Sequence, residues 1–234
     1  MLKRTDMRNL IIYGVGSQAE VAYSYFQIDS DYRVIAFTVE QSHIKEITFQ
    51  GLPLIPFEEI ENYFGPDEAD MFIAIGPIKL GSVLENYCNL AKLKGYSLAS
   101  YFPSSEKKYF TPRYGENCFF DHVAHFHPFV KIGNGVTVMN SEVAHHAEIG
   151  NFSFLTSAMI GGNVIIEDYV FIGMKSVIKE GVQIGRGSII GMGAIIVKDV
   201  APYSVYSVPG TKVREGLDSR RIEIFHTRKT PNTI

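Results

Sequence analysis

Residues 166–196 read IEDYVFIGMKSVIKEGVQIGRGSIIGMGAII, and isoleucine recurs in them at 166, 172, 178, 184, 190 and 196. A step of six suits neither a 3.6-residue helix nor a two-residue strand alternation. It suits a parallel β-helix, in which one side chain per flat face points inward and three faces make a turn of eighteen residues. Each inward Ile or Val is stabilised by roughly 1.5–3 kcal/mol of burial. Working back from this stretch, Val143, Ile149 and Leu155 form one phase, and Tyr114, Phe120, Phe126, Ile132 and Val138 another. The phases are joined by a step of five, and the slot expected between Leu155 and Ile166 falls at Gly161, again one residue short of register. Glycine often follows the inward residue, as at Gly133, Gly150, Gly173, Gly185 and Gly191. The expected reason is a tight corner at positive φ, where glycine has no Cβ penalty.

The residues before this solenoid follow a different grammar. Apolar runs at 10–14, 32–38, 70–76 and 96–102 read as strands, with a short further strand at 51–55. Helical spacing is found at 17–26 and 80–95, and a third helix is expected over 56–64 with Pro56 near its start. Strand and helix in alternation predict a Rossmann-like α/β domain with a parallel sheet. The expected division is 1–105 for that domain, 106–213 for the solenoid, and 214–234 for a charged tail. The chain has 234 residues, 46% of them hydrophobic and 20% charged, with a net charge of −3. This balance supplies a sizeable core and argues against a general nucleic-acid electrostatic footprint. No apolar run approaches the ~20 residues of a membrane span. Cys88 and Cys118 lie in apolar surroundings without a CxxC pair, which points to buried thiols and a reducing cytoplasm.

The run IGNFSFLTSAMIGGNVIIEDYVFIGMKSVIKEGVQIGRGSIIGMGAIIVKDVAPYSVYSVPG (149–210) resembles the hexapeptide-repeat acyltransferases. With the α/β domain before it, the chain looks like the sialic acid O-acetyltransferase and bacillosamine N-acetyltransferase type. The resemblance implies a left-handed β-helix, a homotrimer with active sites between subunits, and acetyl-CoA in the groove between neighbouring helices. It also implies direct acyl transfer to a nucleotide-linked sugar, expected at an amino group, for bacterial surface polysaccharide. No metal, membrane or nucleic-acid partner is implied. Alternatives are a hydroxyl acceptor, a zinc-dependent β-helix enzyme, or a non-catalytic trimeric scaffold.

The segment VAHHAEIG (143–150) is similar to the family's V-x-H-[DE]-x-x-I-G pattern. The likeness makes His145 the general base, because histidine titrates near neutrality and suits proton removal from an acceptor. His146 stands where many relatives carry the carboxylate that orients the base. Either His146 or a carboxylate among Asp121, Glu142 and Glu148 is left for that task. Adjacent residues on an extended chain point opposite ways, so the two rings are not expected to share a pocket. By the same likeness, the Gly162 N–H faces the thioester as an oxyanion donor. Gly173, Met174, Gly191, Met192 and Gly193 are small or flexible positions along CoA, with Lys198 and Lys212 near its phosphates. His122 and His127 have a zinc-like spacing, but the third ligand position falls in the helix at 80–95, which has no histidine. His125 is expected to touch the acceptor.

In the first domain, YGVGSQAEVA (13–22) carries G-x-G-x-x-A between a strand and a helix. Gly14, Gly16 and Ser17 are candidate phosphate contacts at a helix N-terminus, and Glu40, ending the next strand, a candidate ribose contact. Gly76 and Lys79 stand at the carboxyl edge of a later strand, where such sheets bind ligands. The pattern alone allows a dehydrogenase, but the resemblance assigns this domain to the nucleotide of the sugar substrate.

Overall fold

The structure is a computed structural model that describes residues 7–108 and 110–210. The expected tail, with Lys212, lies outside the described residues.

The first part is a sheet of order β3-β4-β2-β1-β5, built from β1 (Arg8–Tyr13), β2 (Tyr32–Val39), β3 (Thr48–Phe49), β4 (Leu52–Pro56) and β5 (Ala69–Ile73). All pairings are parallel except the β3–β4 hairpin. Alternation along β1 sends Leu10 and Ile12 to one face and Ile11 and Tyr13 to the other. α1 (Ser17–Ile28) covers the first face with Ala19, Ala22 and Phe26. α2 (Ser82–Leu93) covers the second with Leu84, Cys88 and Ala91. The helix expected over 56–64 is a single 3₁₀ turn, Ile60–Asn62. Phe57 and Ile60 are the residues that need burial, and a spacing of three is met by one such turn. Nor is 96–102 a strand of the sheet. Leu98 bridges Met71 and Tyr101 bridges Phe119, so this segment hands the chain from sheet to solenoid.

The solenoid is a left-handed β-helix with three parallel faces. Face one stacks Phe119–Phe120, Thr137–Met139, Phe154–Thr156, Phe171–Ile172, Ile189–Ile190 and Val205–Tyr206. Face two stacks His125–Phe126, Glu142–Val143, Met159–Ile160, Val177–Ile178 and Ile195–Ile196, and face three Lys131–Ile132, Glu148–Ile149, Ile165–Ile166 and Gln183–Ile184. Every inward residue of the hexad pattern from Phe120 to Ile196 is buried. The missing slot is filled by Ile160 rather than Gly161: the corners at Asn140 and Ser157 are each one residue short, which shortens two coils.

The glycines that follow inward residues have a different cause from the expected one. None of Gly133, Gly150, Gly173, Gly185 and Gly191 has positive φ. They are small because the next coil passes directly over them: a Cβ on Gly150 would lie 2.5 Å from the Glu167 carbonyl carbon, and one on Gly185 2.5 Å from Pro202 N. Positive φ is reached further round each corner, and mostly by other residues, including Phe129, His146, Phe152, Asn163 and Tyr169. Gly150→Ala is therefore expected to destabilise the fold by about 1–3 kcal/mol, measured by denaturant unfolding, because backbone cannot yield as a side chain does.

The two parts share their packing. Phe119 joins the core under α1, and Phe152 packs against the core under α2. Buried Asn117 clips the end of β5: its Oδ1 accepts from Ile73 N at 2.8 Å and its Nδ2 donates to Ile73 O at 3.1 Å. Asn117→Ala leaves two buried backbone groups unpaired, so a loss of about 2–4 kcal/mol is expected in a urea titration.

Candidate active site

The corner between faces two and three holds the first group of candidate residues. Strand pairing aligns Val143, Ile160, Ile178 and Ile196 on successive coils, so the residues two positions further on also stack. These are His145, Gly162, Glu180 and Lys198. At ~4.8 Å per coil, Lys198 stands roughly 14 Å along the corner from His145. His145, Glu180 and Lys198 are exposed, whereas Gly162 is buried beneath the His145 ring. A Cβ on Gly162 would lie 2.7 Å from His145 Cε1 and 3.0 Å from Nε2. Glycine here makes room for the imidazole. Among the described residues the Gly162 N–H has no hydrogen-bond partner, while its carbonyl accepts from Gly181 N at 2.9 Å.

His145 and His146 lie together, contrary to the extended-chain expectation. His146 is at the corner with φ of 60°, which swings its ring back toward its neighbour. The two Nδ1 atoms are 3.2 Å apart and the rings cross at 83°. None of the three candidate carboxylates takes the orienting place. Glu142 pairs with His127 Nε2 at 3.4 Å, and Glu148 with Lys131 at 2.6 Å. Asp121 is buried and accepts from the backbone of Val123 and Asn140. Phe129, one coil below, was not legible as a site residue; its ring lies 4.7 Å from that of His146. A step of one coil back from His146, seventeen residues, is the signal that finds it.

The other candidate positions separate into groups. Met174, Met192 and Gly193 are exposed at the corner between faces one and two, on the far side of face two from His145. Gly173 and Gly191 beside them are accounted for by coil packing, with Cβ positions 2.8 Å from Met192 N and 2.7 Å from Tyr206 O. His125 is on face two, its Nδ1 3.3 Å from Glu106, and His122 Nδ1 shares a 2.7 Å hydrogen bond with Tyr25 OH of α1. Among the described residues no three His, Cys, Asp or Glu side chains are grouped to hold a metal ion.

The carboxyl edge of the sheet brings Gly14, Gly16, Ser17 and Gly76 together. Gly14, at φ of 123°, brings its backbone close to the Ala74 carbonyl, 3.1 Å from where a Cβ would be. Gly16 caps α1, and a Cβ there would meet nothing within 4 Å, so packing does not demand that glycine. Gly76 lies against Gln18, one residue beyond Ser17. Glu40 is held 3.4 Å from His43 Nδ1. Burial, and then the adjoining Glu40, push the Tyr13 phenol well above its ordinary range. Lys79 is exposed on a loop where Lys79, Leu80 and Gly81 all have positive φ, and Gly81 abuts the Phe152 carbonyl of the solenoid. This edge therefore meets the corner between faces three and one, not the corner of His145.

Six-residue repeats on three parallel faces form a left-handed β-helix, joined here to a mostly parallel α/β sheet. Residues 157–198 match the family described as bacterial transferase hexapeptide (six repeats). Among solved structures, the acetyltransferase domain of PglB from Neisseria gonorrhoeae in complex with acetyl coenzyme A has a TM-score of 0.72 at 19% identity, covering 85% of this chain and 95% of that one. A histidine-to-alanine mutant of GDP-perosamine N-acetyl transferase from Caulobacter crescentus, in complex with CoA and GDP-perosamine, has a TM-score of 0.53 at 16% identity, covering 84% and 92%. These likenesses show the shared fold. The bifunctional protein GlmU of Thermotoga maritima is 33% identical over 94 residues, 32% of this chain and 21% of that protein. The acyl-[acyl-carrier-protein]–UDP-N-acetylglucosamine O-acyltransferase of Paracoccus denitrificans is 36% identical over 81 residues, 34% and 31%. The chain thus spans about a fifth to a third of the length of these two curated relatives.

Proposed function

We propose that this protein transfers an acetyl group from acetyl-CoA to the amino group of a nucleotide-linked sugar, with His145 as general base. The observation that carries the reading is the His145 ring seated over Gly162, whose N–H is unpaired among the described residues, on a corner that leads to Lys198. In this reaction the acceptor nitrogen bonds to the thioester carbon and its proton passes to His145 Nε2. The Gly162 N–H stabilises the oxyanion that forms. The C–S bond then breaks, and His145 returns the proton to the departing thiolate. A covalent acyl-cysteine route has little support: burial pushes both thiols, Cys88 and Cys118, up to about 12.

The sugar's nucleotide is assigned to Gly14, Gly16, Ser17, Glu40 and Gly76, with Lys79 beside them and His125 toward the sugar. CoA is assigned to Gly162 and Lys198 on one wall, and to Gly173, Met174, Gly191, Met192 and Gly193 on the other. Those walls are different corners of one coil, so the reading requires a second copy to complete the site. An apolar outer surface supports such assembly: Met159, Ile195 and Met192 are 55%, 72% and 65% exposed. The assembly proposed is a homotrimer, acting in the cytoplasm in the synthesis of surface polysaccharide.

The test is product identification with isotope-labelled acetyl-CoA and a panel of amino- and hydroxy-sugar nucleotides. A labelled product resistant to hydroxylamine is the expected amide. A hydroxylamine-labile ester would move the reading to a hydroxyl acceptor.

A further inference from the structure

Building on the assignment of His145 as base, we propose that His146 is its positioning residue. It holds the His145 ring in the tautomer whose Nε2 is free, and Phe129 is the shelf that holds His146 for the task. The Nδ1–Nδ1 separation is 3.2 Å. Two such atoms make a hydrogen bond only when one carries the proton and the other does not. When His145 donates from Nδ1, its Nε2 lone pair is open to an acceptor proton. When His146 donates instead, His145 carries its proton on Nε2 and is no base. The working pair is therefore His145 protonated on Nδ1 and His146 protonated on Nε2.

The backbone fixes His146 from below. Its N–H donates to Pro128 O at 3.1 Å, its φ is 60°, and its ring rests on Phe129, which is 71% exposed. Left-handed backbone recurs at this corner in Phe129, Asn163 and Gly181, so φ alone does not distinguish His146. The ring pair with Phe129 does. Among the described residues, the carboxylates of the surrounding coils are engaged elsewhere. Glu142 is engaged by His127, Glu148 by Lys131, and Glu180 lies 3.4 Å from Asn163 Nδ2. Asp121 is turned to backbone N–H groups.

A neutral imidazole in the place of a carboxylate has a definite consequence. It orients the ring without adding a negative charge that would hold the transferred proton on His145. A proton added to either ring removes the free Nε2 lone pair of His145, because a doubly protonated His146 donates from its Nδ1. Activity should therefore fall along an acid limb of the pH profile, and a carboxylate at 146 should move that limb to higher pH.

Two readouts test this on the intact protein. Long-range ¹⁵N–¹H NMR on histidine-labelled protein, above the acid limb, should show His145 protonated at Nδ1 and His146 at Nε2. Both rings protonated at Nε2 overturns the proposal, whether or not the protein proves to be a transferase. The second readout is the pH profile of kcat/KM. His146→Asp, an Asp being tolerated at positive φ, should move the acid limb up by about one pH unit or more. His146→Ala should lower kcat about 10–100-fold with little change in KM, and Phe129→Ala should lower kcat less. An unmoved limb in His146→Asp, or wild-type kinetics in His146→Ala, overturns it. Absence of transfer by the wild type counts against the acyltransferase reading, and the tautomers then decide the pair alone.

Discussion

His145→Ala is expected to lower kcat/KM for acyl transfer by about 10²–10⁴-fold, the usual contribution of a general base. That loss corresponds to roughly 3–5 kcal/mol of barrier. Stability should change by less than ~1 kcal/mol, because the side chain is exposed and its backbone carbonyl keeps its bond from Asn163 N. The check is steady-state kinetics beside thermal unfolding. Lost activity with an unchanged transition assigns the effect to chemistry rather than folding.

Gly162→Ala is expected to be the next most damaging change at the site, lowering kcat by about 10²-fold. The new methyl would stand 2.7 Å from His145 Cε1, 3.0 Å from Nε2 and 3.2 Å from Nδ1, so the ring must leave its seat. It would carry Nε2 away from the acceptor and break the contact with His146. Gly162 does not have positive φ, so alanine meets no backbone strain. The clash is with an exposed side chain rather than with backbone, and stability should hold within about 1 kcal/mol. This separates Gly162 from Gly150, whose substitution strikes backbone and is expected to cost folding instead. Paired unfolding and kinetic measurements on the two variants check the contrast.

What the sequence made legible and what it hid have physical causes. The six isoleucines from 166 to 196 announce the solenoid because each face buries one outwardly identical position, and burial leaves a strict period. The register slip between Leu155 and Ile166 is visible as a slip, but whether Gly161 or Ile160 points inward depends on where a corner loses its residue. That is settled by burying isoleucine instead of glycine. The reason for the glycines at 150 and 185 is a contact with the next coil, seventeen residues or so away, which local grammar does not contain. The pattern singles out His145 and Gly162, but not the room that Gly162 makes for the His145 ring, a contact between successive coils. The placement of His146 is not, because the extended-chain rule fails at a corner where φ is 60°. Phe129 is hidden for the same reason as the glycines: it meets His146 only after a full coil. At the other end of the chain, the glycines at 14, 16 and 76 converge as the strand–turn–helix pattern implies, whereas the helix expected over 56–64 dissolves into one turn because only Phe57 and Ile60 needed burial.

The most direct test of the acyltransferase reading is the rate of thiol release from acetyl-CoA by the wild-type protein, with and without each nucleotide-linked amino sugar. The account predicts release that depends on both acceptor and enzyme, with label appearing in the sugar as an amide. Release that proceeds at the same rate without acceptor, or no release with any member of the panel, would contradict it.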